Sequence, residues 1–299
     1  MTEKTNKEVQ RVLKVFNMDV YQKYLYGELT YGDFLSKYQC TNHVMLIVFK
    51  QLQLVSRTQL LKSTTNNLIF DVINSAEAAY ILGFYIADGS ISGNRLSFSL
   101  SEKDLDLLIQ IKNYISPNSK IQRYPEKINK QGIKSNAMCS LSITSEHICK
   151  TLENYGIGYH KTYKIKSITN IIPKQFMWDF IRGYFDGDGC VSASNTKKVI
   201  KDKEYYHTNV CWTIISKDKL ILEEIQSFIN SEGCTKILVY PDKKGNFLMG
   251  THSLKNLKII FSKLYNNISI KLDRKYKKFQ NIIANTEVSS EIAQGSETL

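Results

Sequence analysis

The pattern of apolar and polar residues divides this chain into helical and strand segments that occur twice in the same order. One apolar run with helical spacing leads into YILGFYIADGSIS (80–92), and a second leads into FIRGYFDGDGCVS (180–192). Asn74 or Ser75 suits the N-cap of the first helix, and Pro173 suits the first turn of the second. The two copies align Gly83 with Gly183, Asp88 with Asp188, Gly89 with Gly189 and Ser92 with Ser192.

Strands and further helices follow each run in matching order. Residues 95–101 and 209–216 alternate as half-buried strands do, and helical patterns follow to 115 and 229. Further strands are predicted at 120–124, 137–144, 235–240 and 247–251, and closing helices at 145–155 and 253–265. The second copy has a Lys-rich insertion at 195–208, a loop or a hairpin extension. The predicted fold is α+β, with two pseudo-symmetric αββαββα repeats and antiparallel sheets whose polar faces look outward.

Helical spacing also dominates the N-terminal part of the chain, which we predict to be a small all-α domain. A helix around 31–38, a turn at Cys40-Thr41 and a helix at about 42–53 have the arrangement of a helix-turn-helix. DNA-binding modules and purely structural bundles share this pattern, so both interpretations stay open. The predicted organisation is a helical domain at 1–65, repeats at 70–168 and 169–283, and a disordered tail at 284–299 that has three acidic and no basic residues.

Charge narrows the choice of partner. The chain has 40 Lys+Arg against 28 Asp+Glu, a net charge of +12, which favours a polyanion, above all nucleic acid. Its six cysteines show no zinc spacing. Neither a signal-peptide core nor an apolar run of about 20 residues is present, so we expect a protein that is not secreted and has no membrane partner. The expected location is the cytoplasm of a bacterial or phage-infected cell, or an organelle.

The repeated aspartates predict a cation site. Gly83 and Gly183 would let the two helices pack closely, which brings Asp88 and Asp188 to the same end of the contact. Two carboxylates at the negative ends of helices repel each other in a low dielectric. A hard divalent cation such as Mg²⁺ would relieve that repulsion.

These residues resemble the LAGLIDADG homing endonucleases, with ILGFYIADG (81–89) and IRGYFDGDG (181–189) as the two motif copies. The resemblance covers about residues 70–283. It implies a metal site at Asp88, Asp188, Gly89 and Gly189, whereas the sixth motif position, Ile86 and Asp186, varies in the family and holds no metal. It also implies a catalytic basic residue near each scissile phosphate. The best matches are Lys161 and Lys275, with Lys164, Lys271 and Arg274 close by.

The resemblance implies a site-specific endonuclease that makes Mg²⁺- or Mn²⁺-dependent double-strand cuts in a long DNA target. It also implies an intron-encoded or free-standing gene and a monomer, since one chain supplies both halves. The sheets would lie in the major groove. Residues expected to contact DNA there are Arg95, Ser97, Ser99, Lys120, Arg123, Lys134, Lys197, Lys198, Lys236, Lys243 and Lys244.

Two other functions use the same scaffold. An intron maturase would bind intron RNA, and a DNA-binding regulator would bind without cutting. Retention of both Asp88 and Asp188 counts against the regulator. The ends of the chain lack intein splice-junction residues, so we do not expect an intein.

Overall fold

The computed structural model describes residues 2–128, 132, 134–158, 165–200, 203–266, 268 and 270–295. It confirms the predicted α+β fold, with a helical N-terminal region followed by two repeats built on antiparallel sheets. Within the described part, no helix has both the length and the apolar character needed to cross a bilayer.

Five short helices make up the N-terminal domain. They are α1 (Glu3–Val15), α2 (Met18–Leu25), α3 (Tyr31–Tyr38), α4 (Asn42–Gln51) and α5 (Arg57–Thr64). Each begins at a Thr, Asn or Ser whose side chain accepts a hydrogen bond from the first turn, which satisfies a backbone N–H that has no partner within the helix. Buried Val, Tyr, Phe and Met side chains from α1 to α4 form a core of their own.

Helices α3 and α4 confirm the predicted helix pair and the turn between them. The chain turns at Gln39, which adopts a left-handed conformation with φ 48°. The Arg11 guanidinium of α1 donates to the carbonyls of Tyr38 and Gln39, at 3.1 and 2.8 Å. A cation therefore stabilises the negative C-terminal end of α3.

The first repeat has the predicted order. Its elements are α6 (Ala76–Asp88), β1 (Ser90–Ser92), β2 (Arg95–Ser101), α7 (Leu105–Ile115), β3 (Ile121–Tyr124), β4 (Lys127–Ile128), β5 (Lys134–Ser135), β6 (Met138–Thr144) and α8 (Glu146–Asn154). The antiparallel sheet runs β1-β2-β6-β3, and β4 and β5 form a separate ribbon.

The second repeat has the same topology, with the sheet order β7-β8-β10-β9. Its elements are α9 (Met177–Asp188), β7 (Gly189–Ile200), β8 (Lys203–Ser216), α10 (Lys219–Ser231), β9 (Leu238–Pro241), β10 (Phe247–Thr251), α11 (Leu254–Leu264) and α12 (Asp273–Gly295). The insertion is a hairpin extension, because β7 and β8 pair as far as Ile200 and Lys203. Strand β9 begins later than predicted, because Lys236 has a positive φ of 56°, which a strand does not allow.

Helix α12 includes residues 284–295, and the disorder expected for the tail at 284–299 stays a prediction. Ile282 and Thr286 are buried one turn apart, and the Thr286 hydroxyl donates to the Ile283 carbonyl. Residues 296–299 lie outside the described part.

The repeats share one apolar core, and α6 and α9 pack at its centre. A Cβ atom added to Gly83 would lie 2.2 Å from the Phe180 carbonyl oxygen, and one added to Gly183 would lie 2.0 Å from that of Tyr80. Only glycine permits this approach, so the predicted helix contact is present.

The helical domain is joined to the first repeat by polar contacts. Lys120 Nζ donates to the Gly27 carbonyl at 2.9 Å, and Asn66 N donates to the Ile115 carbonyl at 2.7 Å.

Candidate functional site

The two motif aspartates are the last residues of α6 and α9, and the helix ends meet there. A Cβ added to Gly187 would lie 2.4 Å from Ala87 Cβ and 3.6 Å from Asp88 Cγ. The charges of Asp88 and Asp188 both act to raise the pKa of the same lysine, Lys275. The structure therefore brings Asp88 and Asp188 to one place, as the sequence predicts.

The glycines after these aspartates are needed because they lack a side chain. Gly89 and Gly189 have ordinary extended backbones, with φ −73° and −97°. A Cβ would lie 2.2 Å from Tyr85 Cδ2 in the first copy and 2.0 Å from Phe185 Cδ2 in the second. In each copy of the motif, the backbone thus passes close to an aromatic ring where it leaves the helix and enters a strand.

Lys275 closes the C-terminal end of α9. Its ammonium donates to the carbonyls of Phe185, Gly187 and Gly189, at 2.7, 3.1 and 2.7 Å. An ammonium has three N–H donors, and all three are used. Burial lowers the Lys275 pKa to about 8, opposed chiefly by the charge of Asp186. Lys275 therefore compensates the negative helix end and fixes the carbonyls on both sides of Asp188.

Asp186 is a buried carboxylate that the sequence gives no function. It accepts hydrogen bonds from the Tyr80 hydroxyl at 2.7 Å and from Leu272 N at 2.8 Å, and it is 1% exposed. Burial raises its pKa to about 6, although these bonds and the charges of Lys275 and Arg182 oppose the shift. Oδ1 has no hydrogen-bond partner among the described residues. The sequence contains a signal for this contact. Where the first copy has Tyr80 and Ile86, the second has Phe180 and Asp186, so each copy has a polar residue at the position where the other is apolar.

Arg182 fixes the segment that carries Lys275. Its guanidinium is buried and donates to the carbonyls of Leu264 and Ile270, each at 2.9 Å. Together with the bond between Asp186 and Leu272, these contacts position the first turn of α12 against α9.

The other predicted basic residues have different outcomes. Lys161 and Lys164 lie outside the described residues. Arg274 Nε contacts both carboxylate oxygens of Asp104, at 2.9 and 3.0 Å, and so joins the second repeat to the first. Lys271 Nζ lies 3.7 Å from Asp273 Oδ1. Among the members of this set that the structure describes, Lys275 donates to the carbonyls at the end of a motif helix.

The donor atoms around Asp88 and Asp188 suit a hard divalent cation. Carboxylate and backbone carbonyl oxygens are the ligands such ions prefer. The described residues contain no group of three or more His, Cys, Asp or Glu side chains suited to hold a metal. Mg²⁺ commonly binds through one or two carboxylates and completes its shell with water and substrate phosphates, so this donor set fits it. The Gly189 carbonyl already accepts a bond from Lys275, which leaves it one lone pair for a metal.

The outward face of the first sheet is lined with hydroxyl groups, as predicted. Arg95, Ser97 and Ser99 alternate with buried Leu96, Phe98 and Leu100 on β2. The hydroxyls of Ser97 and Ser142 lie 2.9 Å apart, and Ser99 Oγ donates to Ser140 Oγ at 3.3 Å.

Three residues predicted to contact DNA are engaged with other protein groups. Lys120 contacts Gly27 of the helical domain. Arg123 pairs with Cys139, a buried position, and its Nε lies 3.4 Å from Glu102 Oε1. Arg123 is therefore not on the hydroxyl face. Lys134 Nζ lies 2.7 Å from Glu126 Oε2.

The predicted lysines of the second repeat lie on the long hairpin and around β9. Lys197 is exposed on β7, and the Lys198 side chain lies outside the described part. Lys236, Lys243 and Lys244 are exposed before and after β9. The turn that carries Lys243 and Lys244 is held by Asp242, whose Oδ1 accepts from Lys244 N at 2.7 Å and from Asn246 N at 2.8 Å.

The expectation of polar outward faces is wrong for part of the second sheet. Leu238 and Tyr240 point outward on the edge strand β9 and are 62% and 42% exposed. Ile215 and Leu248 lie on the same face, because their strand neighbours Ile214 and Met249 are buried in the core. The period-2 pattern failed here because both faces of these strands carry apolar residues.

Comparison with known proteins gives two family-level matches, one in each repeat. Residues 75–156 match a LAGLIDADG-like domain, and residues 181–284 match the LAGLIDADG endonuclease family. Together they include both copies of the motif, both four-stranded sheets, and helices α8 and α11.

Two proteins of Methanocaldococcus jannaschii also show similarity over part of the chain. The DNA-directed RNA polymerase subunit Rpo1C is 31% identical over 140 residues, which are 47% of this chain and 15% of that protein. Reverse gyrase is 25% identical over 185 residues, which are 60% of this chain and 10% of that protein. The chain thus spans only a small part of these relatives' length.

Solved structures with a similar fold include meganucleases. I-SmaMI bound to uncleaveable DNA has a TM-score of 0.47 at 12% identity, covering 71% of this chain and 92% of that one. I-CpaMI bound to uncleaved DNA has a TM-score of 0.46 at 15% identity, covering 73% and 94%. Because each repeat matches a LAGLIDADG family model by itself, this chain belongs to the LAGLIDADG family and carries two copies of the motif in one polypeptide.

Proposed function

We propose that this chain is a site-specific DNA endonuclease that uses a divalent cation to cut both strands of its target. The observation that carries the proposal is the meeting of Asp88 and Asp188 at the ends of two packed helices. Family membership supports the reaction class, since the second repeat matches the LAGLIDADG endonuclease model. The net charge of +12 supports a nucleic-acid substrate.

Different residues of this chain would bind the metal, position the site and bind the DNA. Asp88 and Asp188 would hold Mg²⁺ or Mn²⁺ through carboxylate oxygens. When bound, such an ion neutralises charge on a scissile phosphate and makes bound water more acidic. Lys275 keeps the turn after α9 in place, and the outward faces of the two sheets bind the duplex through base edges and phosphates.

Pseudo-twofold symmetry supports two cuts by one molecule. A pseudo-twofold axis relates the two motif helices, and a twofold axis likewise relates the two antiparallel strands of DNA. One aspartate can therefore act on each strand. Since both helices come from one polypeptide, we propose that the active species is a monomer. A strictly dimeric species on DNA, seen by sedimentation, would contradict this part of the proposal.

The test begins with a duplex library that has a randomised central segment, from which bound sequences are selected in Ca²⁺. Selected duplexes are then incubated with Mg²⁺, and cleavage of each strand is followed on denaturing gels. Asp88→Asn and Asp188→Asn should each abolish or greatly slow double-strand cutting and leave binding largely intact. Asp106→Asn, an exposed aspartate on α7, is the matched control and should cut normally.

Two outcomes would overturn the proposal. Full cleavage by the Asp88→Asn/Asp188→Asn double variant would remove these residues from the reaction. Selective binding of structured intron RNA without cleavage of any selected duplex would support an RNA maturase instead.

A further inference from the structure

The outward face of the second sheet has two rows that run across its strands, as defined by the strand register. The first row joins Ile215 on β8, Leu248 on β10 and Tyr240 on β9. The second joins Cys190, Thr213, Gly250 and Leu238 on β7, β8, β10 and β9. This part of the sheet therefore presents mainly apolar groups to its surroundings, although it belongs to a strongly basic protein.

The first sheet has the same rows with opposite chemistry. Its register joins Ser99, Ser140 and Gln122, the counterparts of Ile215, Leu248 and Tyr240. It also joins Ser90, Ser97 and Ser142, the counterparts of Cys190, Thr213 and Gly250. The correspondence is fixed by the motif, because Ser90 and Cys190 each lie two residues after the motif aspartate. Two surfaces of matching backbone geometry thus carry serine hydroxyls and one amide in the first repeat and mainly apolar side chains in the second, where Thr213 and Tyr240 also have hydroxyls.

The apolar rows lie at the inner end of the second sheet, next to the candidate site. Gly189 pairs with Ile214, so the row of Ile215 begins immediately beside Asp188. Ile215 and Asp188 also line one cavity. The outer part of the long β7–β8 hairpin is polar. There the Thr208 hydroxyl donates to Asn195 Oδ1 at 2.9 Å, and Asn209 Nδ2 donates to Thr196 Oγ1 at 3.0 Å.

Gly250 lies in the lining of a hollow in this surface, and its neighbours leave no room for a side chain. A Cβ there would lie 2.6 Å from the Trp212 carbonyl oxygen and 2.7 Å from Thr213 Cγ2. The hollow is lined by Leu238 and Tyr240 on β9 and by Lys236, and its remaining lining residues are Thr213, Gly250, Thr251, His252 and Ser253. It therefore combines two large apolar side chains with a cation and several small polar groups.

The occupant that suits this surface is the major groove of DNA. The thymine C5-methyl is the apolar group that base edges present there, and phosphates flank it on both sides. Lys236, Lys243 and Lys244 surround β9 with exposed cations that suit those phosphates. The same sheet begins at the residue after Asp188, which continues the surface from the site where the backbone would be cut.

We propose that the second repeat reads the inner part of its half-site through thymine methyl groups, and that the first repeat reads its half-site by hydrogen bonds. The target is therefore non-palindromic, with thymine-containing steps next to the cut on the side of the second repeat. This inference rests on the proposed function, since it requires that the sheets face DNA.

Replacement of thymine by uracil tests it, because that change removes the methyl and keeps every hydrogen-bonding group. A selected target is prepared with uracil at the inner positions of one half-site or the other, and affinity is measured in Ca²⁺. We expect about a fourfold loss for each methyl contacted by the second repeat. Uracil in the first half-site should leave the affinity unchanged.

Protein variants assign the effect to residues. Leu238→Ser and Tyr240→Gln introduce polar groups of the kind found on the first sheet, and both sites are exposed, so folding should be preserved. These variants should bind thymine and uracil targets equally. Ile128→Ser, an exposed apolar residue on β4, is the matched control and should keep the preference for thymine.

The outcomes separate this inference from the endonuclease assignment. A selected target that is bound and cut, but shows equal losses or none in the two half-sites, overturns thymine readout and leaves the endonuclease standing. A protein that selects no duplex overturns both.

Discussion

A Cβ atom on Gly183 would lie 2.0 Å from the carbonyl oxygen of Tyr80. The absence of that atom is what lets the two repeats pack so closely. Gly83 stands in the same relation to Phe180, at 2.2 Å. The neighbouring atoms are backbone in both cases, so they cannot move aside as a flexible side chain would. The backbones of α6 and α9 touch, and this contact sets the positions of Asp88 and Asp188.

Gly183→Ala should therefore destabilise the protein, although alanine is the better helix former. The added methyl forces the helices apart, and overpacking of this kind costs about 1–3 kcal/mol or more. Urea unfolding measures the change. The control is Gly32→Ala on α3, where the nearest atom to a new Cβ is 3.8 Å away, and there we expect about 0.5–1 kcal/mol of stabilisation. Equal effects at Gly183 and Gly32 would contradict the contact.

The buried pair of Tyr80 and Asp186 should show coupling in a double-mutant cycle. Tyr80→Phe removes a donor from the carboxylate, and Asp186→Ile removes the acceptor from the hydroxyl. Each single change leaves a buried polar group without its partner, so the two effects should fall short of additive by about 0.5–3 kcal/mol. Thermal unfolding of the four proteins measures the coupling, and strict additivity would show that the pair contributes nothing.

The raised pKa of Asp186 gives this residue a signature in the dependence of stability on pH. Its folded pKa of about 6 exceeds the usual value of 3.8, so the folded state holds the proton more tightly than the unfolded state. The free energy of unfolding should therefore fall as pH rises from about 4 to 6 relative to Asp186→Asn, which does not titrate. Urea unfolding at several pH values checks the sign, and parallel profiles for the two proteins would refute it.

Lys275 should act on one half of the cutting reaction. Above a pH of about 8 its ammonium loses a proton, and the neutral amine has only two N–H groups for three carbonyls. Cleavage of the strand served by Asp188 should then decline relative to cleavage of the other strand, and nicked duplex should accumulate. Strand-specific labels on a selected target measure this ratio.

Lys275→Met should show the same nicking at every pH, because the helix end has lost its cation. Lys278→Met, an exposed neighbour on α12, is the control and should retain the pH dependence. Asp186→Asn should move the onset to lower pH, since the charge of Asp186 supports the ammonium. A strand ratio that stays constant across pH in the unmodified protein would remove Lys275 from this role.

Removal of the helical domain should shorten the footprint on DNA. A protein that begins at Asn67 keeps both repeats, so it should still cut, but bind more weakly and protect less of the duplex. The exposed face of α4 presents His43, Leu46 and Lys50, and this face would enter a major groove beside the main site. Footprinting of both proteins on one selected target makes the comparison. An unchanged footprint from a well-folded truncation would rule out the DNA-reading role of this domain.

The sequence predicted the parts of the fold that local pattern controls. The strand at 95–101 was found because burial alternates cleanly along it, and the helix ending at Asp88 was found because its apolar run is long, with every residue from Ala78 to Ala87 buried. The outward Leu238 and Tyr240 were missed because an edge strand that is apolar on both faces has no period of two. The bond between Tyr80 and Asp186 joins residues 106 positions apart, and no local pattern indicates such a contact.

The internal repeat in the sequence predicted where the two aspartates of the site lie. The contacts around them are known only from the structure. Aligned aspartates were enough to place Asp88 and Asp188 together. The three carbonyl bonds of Lys275 depend on the contacts that Arg182 makes with Leu264 and Ile270 and that Asp186 makes with Leu272. Packing of that kind between distant segments has no signature in a single sequence.

The hydrogen bond between Tyr80 and Asp186 also breaks the symmetry between the two repeats. The positions that correspond to it across the pseudo-twofold are Phe180 and Ile86, both hydrocarbon. In a homodimer every substitution appears twice, so a buried acid on one side would bring a second, like-charged acid on the other. Two repeats joined in one polypeptide can each accept changes that the other does not share. One buried carboxylate and one apolar sheet face can therefore be kept on a single side, which a symmetric pair of identical subunits does not allow.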